Sequence, residues 1–451
     1  MRDAEQPETA AKRAGVATAA NSDQEPTRSA FGIRSSSQRI AGQITPWFEA
    51  SLEAATLMFF PLLVLVPRGV AALVSVAGLC GAGQVLSTRR NMLSPALGFT
   101  AALLGCLLLW GAVSALWSLD PIRSLLVAAR LTGLFVAGLA LVAAASSVAA
   151  PARLTLLLVA GLILGIVMAL TELVTGGALS SYFSERAYQA ARLNQASIAF
   201  AVLVLPVGAT LVSFGYKICA TLLAIATVGT IYALAGTAAK AALIAGLPMG
   251  LFLYRSGPVA ARAAAVISII IVVTAPLSFA RLARLPALSE SADSVKLSAG
   301  HRLLIWSFAG DRIAEQALGG WGLDSSRAIP GGEDPIRPGE TWLPLHPHNA
   351  PLQLWLELGV PGAALFAFGV ALVWRALAYA GWPPLFFAAA GGSLTIAFVG
   401  CFATYGIWQE WWLGTLWFSL FLVLIMARVV GRPARNADAP IRISRGSGPI
   451  T

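Results

Sequence analysis

The sequence predicts an all-α protein, a polytopic membrane helical bundle with about 12 transmembrane helices and one large external loop that contains short amphipathic helices. Hydrophobic residues make up 57% of the 451 residues and charged residues 12%, whereas a soluble domain carries roughly 25% charged residues. The mean hydropathy is +0.75. Twelve apolar runs recur along the chain, and each is long enough, or nearly so, to cross about 30 Å of hydrocarbon as a helix.

The apolar runs divide the chain into five parts. Residues 1–45 lack apolar periodicity, so we expect a disordered tail, and no cleaved signal peptide is expected there. Residues 46–280 hold the first nine predicted transmembrane helices, 281–350 form a polar loop, 351–430 hold the last three helices, and 431–451 form a second tail. The runs lie at 47–67, 69–87, 94–118, 124–146, 153–174, 196–216, 218–235, 238–254, 260–280, 351–378, 384–404 and 410–428.

Basic residues in the short loops predict the orientation of the bundle. Alternate counting of the runs puts one set of basic loop residues on the same side as both tails, which should be the cytoplasmic side. The loop 281–350 then faces away from the cytoplasm. This distribution explains the net charge of +10 without nucleic acid as a partner. The basic residues are Arg89, Arg90, Arg153, Lys217, Arg255, Arg262 and Arg375.

The four cysteines predict no special chemistry. All of them fall in apolar segments without the spacing of a metal site, so we expect neither a disulfide framework nor a metal. They are Cys80, Cys106, Cys219 and Cys401.

All three histidines of the chain lie in the loop 281–350. His301 is near its start, and His346 and His348 are at its end. Histidine is the side chain best suited to move protons near neutral pH. Because Pro347 biases His346 toward extended backbone, we expect the rings of His346 and His348 to diverge. From the residue types alone, an incidental histidine beside a capped interfacial helix is an equal alternative.

The residues after His348 predict a helix that begins and breaks within a few turns. Asn349 is a good N-cap, and Pro351 fits the first helical turn. Gly359 and Gly362, with Pro361 between them, should break or bend the helix. His348 would then precede a helix N-terminus, where backbone donors and the helix dipole favour an anion such as phosphate.

Charged residues inside predicted spans are further candidates, because such charges are costly in a membrane and mark functional sites or ion pairs. Arg130 lies in the fourth run and Lys240 opens the eighth, both toward the side of the histidine loop. Snorkelling or structural ion pairing is the alternative for each. Within the loop, 298–317 reads as an amphipathic helix on which Arg302 and Trp306 share a face.

Three blocks of residues resemble one protein family. His348-Asn349, followed after nine residues by Gly359 and after two more by Gly362, resembles the His-Asn-x9-Gly-x-x-Gly signature of the O-antigen ligase and polymerase family. Residues 300–306 and 320–324 resemble its Arg-x-x-x-Trp helix and Gly-x-Gly turn, and 405–412 resembles the last periplasmic turn of its ligase-like members. The resemblance covers roughly 46–430. The family consists of multi-pass membrane glycosyltransferases that use glycans linked to polyprenyl diphosphate.

The resemblance implies an enzyme of the bacterial inner membrane with a periplasmic active site. It would transfer a glycan from a polyprenyl diphosphate carrier to an acceptor hydroxyl, and lipid A-core is the favoured acceptor. Membrane lipids would surround the enzyme. His348 is the expected general base. Neither a cofactor nor a metal is expected, since no Asp-x-Asp pair or Cys/His ligand set is present at suitable spacing. The expected supporting residues are Asn349, Gly359, Gly362, Trp306 and Lys240.

Arginines are the expected diphosphate ligands, because a guanidinium grips phosphate oxygens bidentately. Arg302 matches the family's motif, and Arg130 is a candidate from its depth in the membrane. Arg192 is the nearest match to a second family arginine, although that arginine tends to follow an Asn directly, where this chain has Gln195. Arg186 is therefore the alternative.

Other functions remain open at this point. An O-antigen or exopolysaccharide polymerase and a protein O-oligosaccharyltransferase differ from a ligase mainly in the acceptor, and the turn 408–412, Trp-Gln-Glu-Trp-Trp, favours a ligase. A polysaccharide or lipid transporter would share the number of spans, but it should show internal repeats with matched broken helices, and none is clear.

Overall fold

The computed structural model describes residues 36–88, 95–183, 189–288, 292, 297–403 and 405–431. The predicted tails at 1–35 and 432–451, the loop with Arg89 and Arg90, and Arg186 lie outside the described residues. The described chain is almost entirely helical, which confirms an all-α polytopic membrane protein. Strand pairing within it is limited to a small antiparallel hairpin of β1 (Pro335–Arg337) and β2 (Glu340–Thr341).

The helices follow the predicted apolar runs. Helix α1 begins at Ser36, so residues 36–45, which the sequence analysis assigned to the tail, belong to a helix. Gln38, Arg39 and Ala41 favour this extension because they have high helix propensity. The helices are α1 Ser36–Leu65, α2 Gly69–Thr88, α3 Pro95–Val113, α4 Pro121–Ala144, α5 Pro151–Thr175, α6 Asn194–Ser213, α7 Lys217–Ala233, α8 Thr237–Ala283, α9 Leu297–Glu315, α10 Ala350–Ala378, α11 Pro384–Ala403 and α12 Glu410–Val430.

Nine of the described helices are long and apolar enough to cross a membrane, and Gly69–Val85 and Lys217–Ala233 are shorter apolar helices. Helix α8 contains two predicted runs, and it breaks at Gly257 (φ 59°, ψ −148°). Its first half packs against α11 at Gly246, while its second half reaches α9 at Ala280. With α8 divided at Gly257, the apolar helices correspond to the twelve predicted runs.

The loops at one end of the bundle contact each other, and we call this end the site end. The Leu323 N–H donates to Ser114 Oγ (3.0 Å) between α3 and α4, and the Gly406 N–H, just before α12, donates to His346 Nε2 (3.1 Å). At the opposite end Arg428 donates to the Ala145 carbonyl. That the opposite end faces the cytoplasm stays a prediction.

Aromatic packing fixes the centre of the bundle. The ring of Phe59 on α1 lies 4.8 Å from that of Phe418 on α12, and the ring of Phe60 lies 5.2 Å from that of Phe200 on α6. All four side chains are fully buried. Helix α9 lies outside this core and packs on α8 and α10 through a separate apolar cluster, as an amphipathic helix should.

Candidate functional site

The N-terminus of α10 has the predicted cap and break. The Asn349 side chain accepts a hydrogen bond from the Leu352 N–H (3.1 Å). Gly359 has φ 62° and ψ −156°, a region essentially restricted to glycine, and a Cβ there would lie 2.4 Å from the Leu318 carbonyl oxygen. At Gly362 a Cβ would lie 2.2 Å from Leu358 Cβ. Both glycines therefore keep the break compact.

The break in α10 exposes backbone groups that the segment 317–322 satisfies. The Trp321 N–H donates to the Leu356 carbonyl (2.9 Å), and the Gly322 N–H donates to the Glu357 carbonyl (2.8 Å). The Val360 N–H donates in return to the Ala317 carbonyl (3.0 Å). Because buried backbone groups need partners, the loop after α9 is fixed to the broken helix.

Glu357 joins this loop to the turn before α12. Its fully buried carboxylate accepts hydrogen bonds from the Asp324 N–H (2.6 Å) and the Ser326 hydroxyl. It also accepts from Gln353 Nε2 (3.0 Å) and Trp408 Nε1 (2.5 Å). Four donors fill the acceptor capacity of a carboxylate. Glu357 therefore ties together three segments that are distant in sequence.

The histidine segment is held between α9 and the turn 405–409. Trp306 Nε1 donates to the Pro347 carbonyl (3.0 Å), which places the predicted Arg302–Trp306 face of α9 against this segment. His346 is 5% exposed, and its Nε2 accepts from the Gly406 N–H (3.1 Å). A Cβ on Gly406 would lie 2.9 Å from His346 Cδ2, so the contact requires glycine. His301 lies apart and contacts the Thr341 carbonyl of the hairpin through Nε2 (2.8 Å).

The rings of His346 and His348 lie together, so the expectation that they diverge is wrong. Their centroids are 4.2 Å apart with the planes inclined at 61°. The reason is the backbone of His348, whose φ of 54° turns the chain back on itself. A positive φ is uncommon for histidine, and such strained positions cluster at functional sites.

Two arginines give this histidine pair a positive environment. The pKa of His346 is lowered to about 3, mainly because the ring is buried. Repulsion from His348, Arg327 and Arg302 acts in the same direction. The two arginines therefore lie close enough to His346 for their charges to act on it.

Tyr405 also lies close to Arg302. Burial lowers the pKa of Arg302, and the nearby Tyr405 acts in the opposite direction. Burial likewise raises the pKa of Tyr405, while the charge of Arg302 opposes that shift. Arginine nevertheless stays protonated in proteins at neutral pH. The positive charge of Arg302 therefore acts on both His346 and Tyr405.

Arg327 and Glu357 are site residues that the sequence analysis missed. Arg327 lies half-buried in a short 3₁₀ helix, Ser326–Ala328, and its Nε is buried without a hydrogen-bond partner among the described residues. No local pattern distinguishes it from a loop arginine. For Glu357 the signal was present, since a carboxylate inside an apolar helical run is costly unless it has partners.

Other predicted residues have different surroundings. Arg130 pairs with Glu410 (3.1 Å) at the start of α12, and its side chain is 60% exposed. The ammonium of Lys240 lies 5.7 Å from the ring centroid of Tyr232. Arg192 is half-buried in the short 3₁₀ helix Ala190–Leu193 just before α6. A role for these three residues in binding stays a prediction.

An apolar cavity of about 650 Å³ lies within the helices beside the site. At the site end it is bounded by Leu354, Ile407 and Trp408, and the last of these contacts Glu357. Its lining continues between α3, α4, α10, α11 and α12 as far as Trp382 at the opposite end. The site end therefore has a polar, positively charged region next to a long apolar one.

Comparison with known proteins agrees with this arrangement. Residues 219–367 match the model of the family described as O-antigen ligase. A provisionally named polysaccharide ligase of Rickettsia conorii is 35% identical over 153 residues, covering 32% of this chain and 35% of that protein. A protein with the same provisional name in Rickettsia bellii is 37% identical over 142 residues, covering 30% of this chain and 33% of that protein. Another in Rickettsia prowazekii is 36% identical over 146 residues, covering 31% of this chain and 35% of that protein.

The chain thus spans about a third of the length of the curated relatives it matches. The segment that matches the family model contains Arg302, Arg327, His348 and Glu357. It runs from α7 into α10, and it therefore includes the capped and broken helix. Through this segment the chain is similar to the O-antigen ligase family.

Proposed function

We propose that this chain is a metal-independent glycosyltransferase of the O-antigen ligase type, which transfers a glycan from polyprenyl diphosphate to an acceptor hydroxyl. Lipid A-core is the favoured acceptor, and the reaction takes place on the periplasmic face of the bacterial inner membrane. One observation carries the proposal: His346 and His348 lie together, within the influence of the charges of Arg302 and Arg327, beside an apolar cavity.

The arginines serve the diphosphate of the donor. A guanidinium offers parallel N–H donors that match phosphate oxygens, and it keeps its charge. Arg302 and Arg327 approach His346 from two different segments, α9 and the loop after it. Negative charge grows on the diphosphate as it leaves, so fixed cations stabilise the transition state more than the bound donor. Binding of the diphosphate would also involve three residues at the periphery of the site, Arg192, Arg130 and Lys240.

His348 serves the acceptor. The acceptor hydroxyl oxygen attacks the anomeric carbon of the donor sugar, the bond between that carbon and the diphosphate oxygen breaks, and the diphosphate leaves with the electron pair. His348 takes the proton from the hydroxyl as general base. His346 is unsuited to this task because burial and neighbouring positive charge lower its pKa to about 3, which makes it a weak base, and its Nε2 already accepts from Gly406.

The apolar cavity serves the lipid part of the donor. It begins at Ile407 and Trp408, directly below the turn that carries Gly406. A polyprenyl chain is entirely apolar, so its burial there is favourable by roughly 25 cal/mol for each Å² removed from water. A donor anchored in this way presents its diphosphate at the level of Arg302 and Arg327.

The test uses purified protein with a polyprenyl-diphosphate glycan and lipid A-core. His348→Ala should lower transfer by roughly 10²- to 10⁴-fold, the usual cost of losing a general base, while donor binding is kept. His301→Gln is the matched control and should retain transfer, because His301 contacts the hairpin. Transfer by His348→Ala at the parent rate would exclude this base. Elongation of the donor glycan instead of transfer to lipid A-core would identify a polymerase.

A further inference from the structure

A second groove lies at the opposite end of the bundle from the histidines. Its volume is about 420 Å³, and it opens between α3, α8 and α10. The walls are apolar and include Phe99 of α3 and Phe368 of α10, which are 63% and 56% exposed. Side chains this apolar and this exposed on membrane-spanning helices face lipid. The groove is therefore open to the bilayer.

Two arginines line the same groove. Arg262 lies on α8 about one turn beyond the break at Gly257, and Arg375 lies in the last turn of α10. Their positions at helix ends put both guanidinium groups at the level where the apolar spans finish. The bottom of the groove is hydrocarbon-like, while its rim carries two positive charges.

Neither arginine forms an ion pair with any described residue. Arg262 makes only a long contact from Nε to the Pro258 carbonyl of its own helix (3.4 Å). The guanidinium of Arg375 lies 5.0 Å from the ring centroid of Tyr379, which leaves the charge uncompensated. An anion with two acceptor oxygens would complement both groups.

We infer that this groove binds an anionic phospholipid, with the phosphate between Arg262 and Arg375 and the acyl chains along Phe99 and Phe368. The apolar walls favour a phospholipid over a free anion, since inorganic phosphate would leave them uncovered. Basic sites between transmembrane helices on the cytoplasmic side are a known way of recognising anionic headgroups. A lipid bound here would join α3, α8 and α10, and the last of these begins at the histidine pair.

The test measures the melting temperature of the full chain in detergent by tryptophan fluorescence, with added phosphatidylglycerol or phosphatidylcholine. Phosphatidylglycerol should raise the melting temperature of the parent, and the Arg262→Gln, Arg375→Gln double variant should lose this rise. Native mass spectrometry should show about tenfold or more weaker binding of phosphatidylglycerol to the double variant, as expected for loss of charge-assisted hydrogen bonds. Arg255→Gln is the matched control, because Arg255 is exposed on the same helix and does not line the groove.

Three outcomes would overturn the inference. In the first, the double variant responds to phosphatidylglycerol like the parent. In the second, Arg255→Gln loses as much of the response, which would indicate a general effect of surface charge. In the third, inorganic phosphate gives the same rise in melting temperature, which would indicate a site for free anions. If the double variant cannot be purified, retention of the full response by both single variants also excludes the site.

Discussion

His346 and His348 are neighbours with different surroundings. Both ring nitrogens of His346 face backbone N–H groups, from His348 to Nδ1 (3.2 Å) and from Gly406 to Nε2 (3.1 Å). A neutral imidazole has a single acceptor nitrogen, so one of these contacts is not a good hydrogen bond. His346 is thus a rigid, uncharged support for the turn before α12. This role was not visible in the sequence, which predicted that the rings of His346 and His348 diverge.

The low pKa of His346 predicts a loss of stability in acid. In the unfolded chain His346 binds a proton below about pH 6.5, whereas in the folded protein it does so only near pH 3. Because the unfolded state then binds more protons, stability falls as the pH drops through this window. Between pH 7 and pH 5 the contribution is about 2 kcal/mol.

The measurement compares unfolding at these two pH values for the parent and for His346→Gln, which cannot be protonated. The variant should lose less stability on acidification than the parent does. An equal loss in both proteins would show that His346 does not carry this dependence on pH.

Arg302 and Arg327 should show the behaviour of bidentate phosphate ligands. Arg302→Ala should abolish detectable transfer, and Arg302→Lys should restore it poorly, because a point charge cannot replace a planar fork. Arg327→Lys should lower kcat by roughly 10²-fold, which is the order of cost for losing one donor to a developing anion. Steady-state kinetics with donor at saturation would measure both effects.

Arg284→Lys is the matched control for these two variants. Arg284 is an exposed arginine that pairs with Asp311 of α9, and its replacement should leave kcat unchanged. Parent kinetics for Arg327→Lys would remove Arg327 from the site and leave Arg302 as the phosphate ligand.

At the scale of single elements, local signals were predictable and distant contacts were not. The cap at Asn349 and the break at Gly359 depend on residues within one or two turns, so the sequence was sufficient for them. The positions of Arg327 and Glu357 depend on contacts across 31 to 51 residues, such as those of Glu357 with Ser326 and Trp408. Sequence periodicity contains no information about such contacts.

Glu357 should be the main positioning residue of the broken helix. Glu357→Gln places an amide NH₂ group where donors already converge, which leaves at least one donor unsatisfied. The expected loss of stability is about 1–3 kcal/mol. The kcat of transfer should also fall, because Ser326 is displaced together with the neighbouring Arg327.

Thermal unfolding in detergent would measure the stability effect. Glu315→Gln is the control, since Glu315 forms an exposed pair with Arg312 and its replacement should change stability by less than about 0.5 kcal/mol. An equally small change for Glu357→Gln would show that its hydrogen bonds do not fix the site.

At the scale of the whole molecule, hydropathy was enough to locate the apolar segments of the described chain and to divide them at the break in α8. The predicted runs 238–254 and 260–280 correspond to the two halves of α8, on either side of the break at Gly257. The packing of α9 on the outside of the bundle through a separate apolar cluster was predictable from the amphipathic pattern of that helix. The meeting of loops at the site end was not, because it depends on how all the helices pack together.

Orientation in the membrane is a prediction at the same scale. The arginine distribution predicts that the opposite end is cytoplasmic and that the site end is periplasmic. Alkaline phosphatase, which is active only outside the cytoplasm, should be silent when fused after Arg90 and active when fused after Glu333. The reverse pattern would overturn the topology and place the histidines in the cytoplasm.

The contacts between α10 and the last turn bear on how the protein is made. The Ile407 N–H donates to Gln353 Oε1 (2.9 Å), and the Gly406 N–H donates to His346. The ribosome synthesises His346 and His348 before Gly406 and Ile407, which supply these two N–H donors. A nascent chain released before residue 405 would carry Arg302, Arg327 and both histidines and still lack the turn that aligns them. Under the proposed function, transfer should therefore begin only after the final helix has entered the membrane.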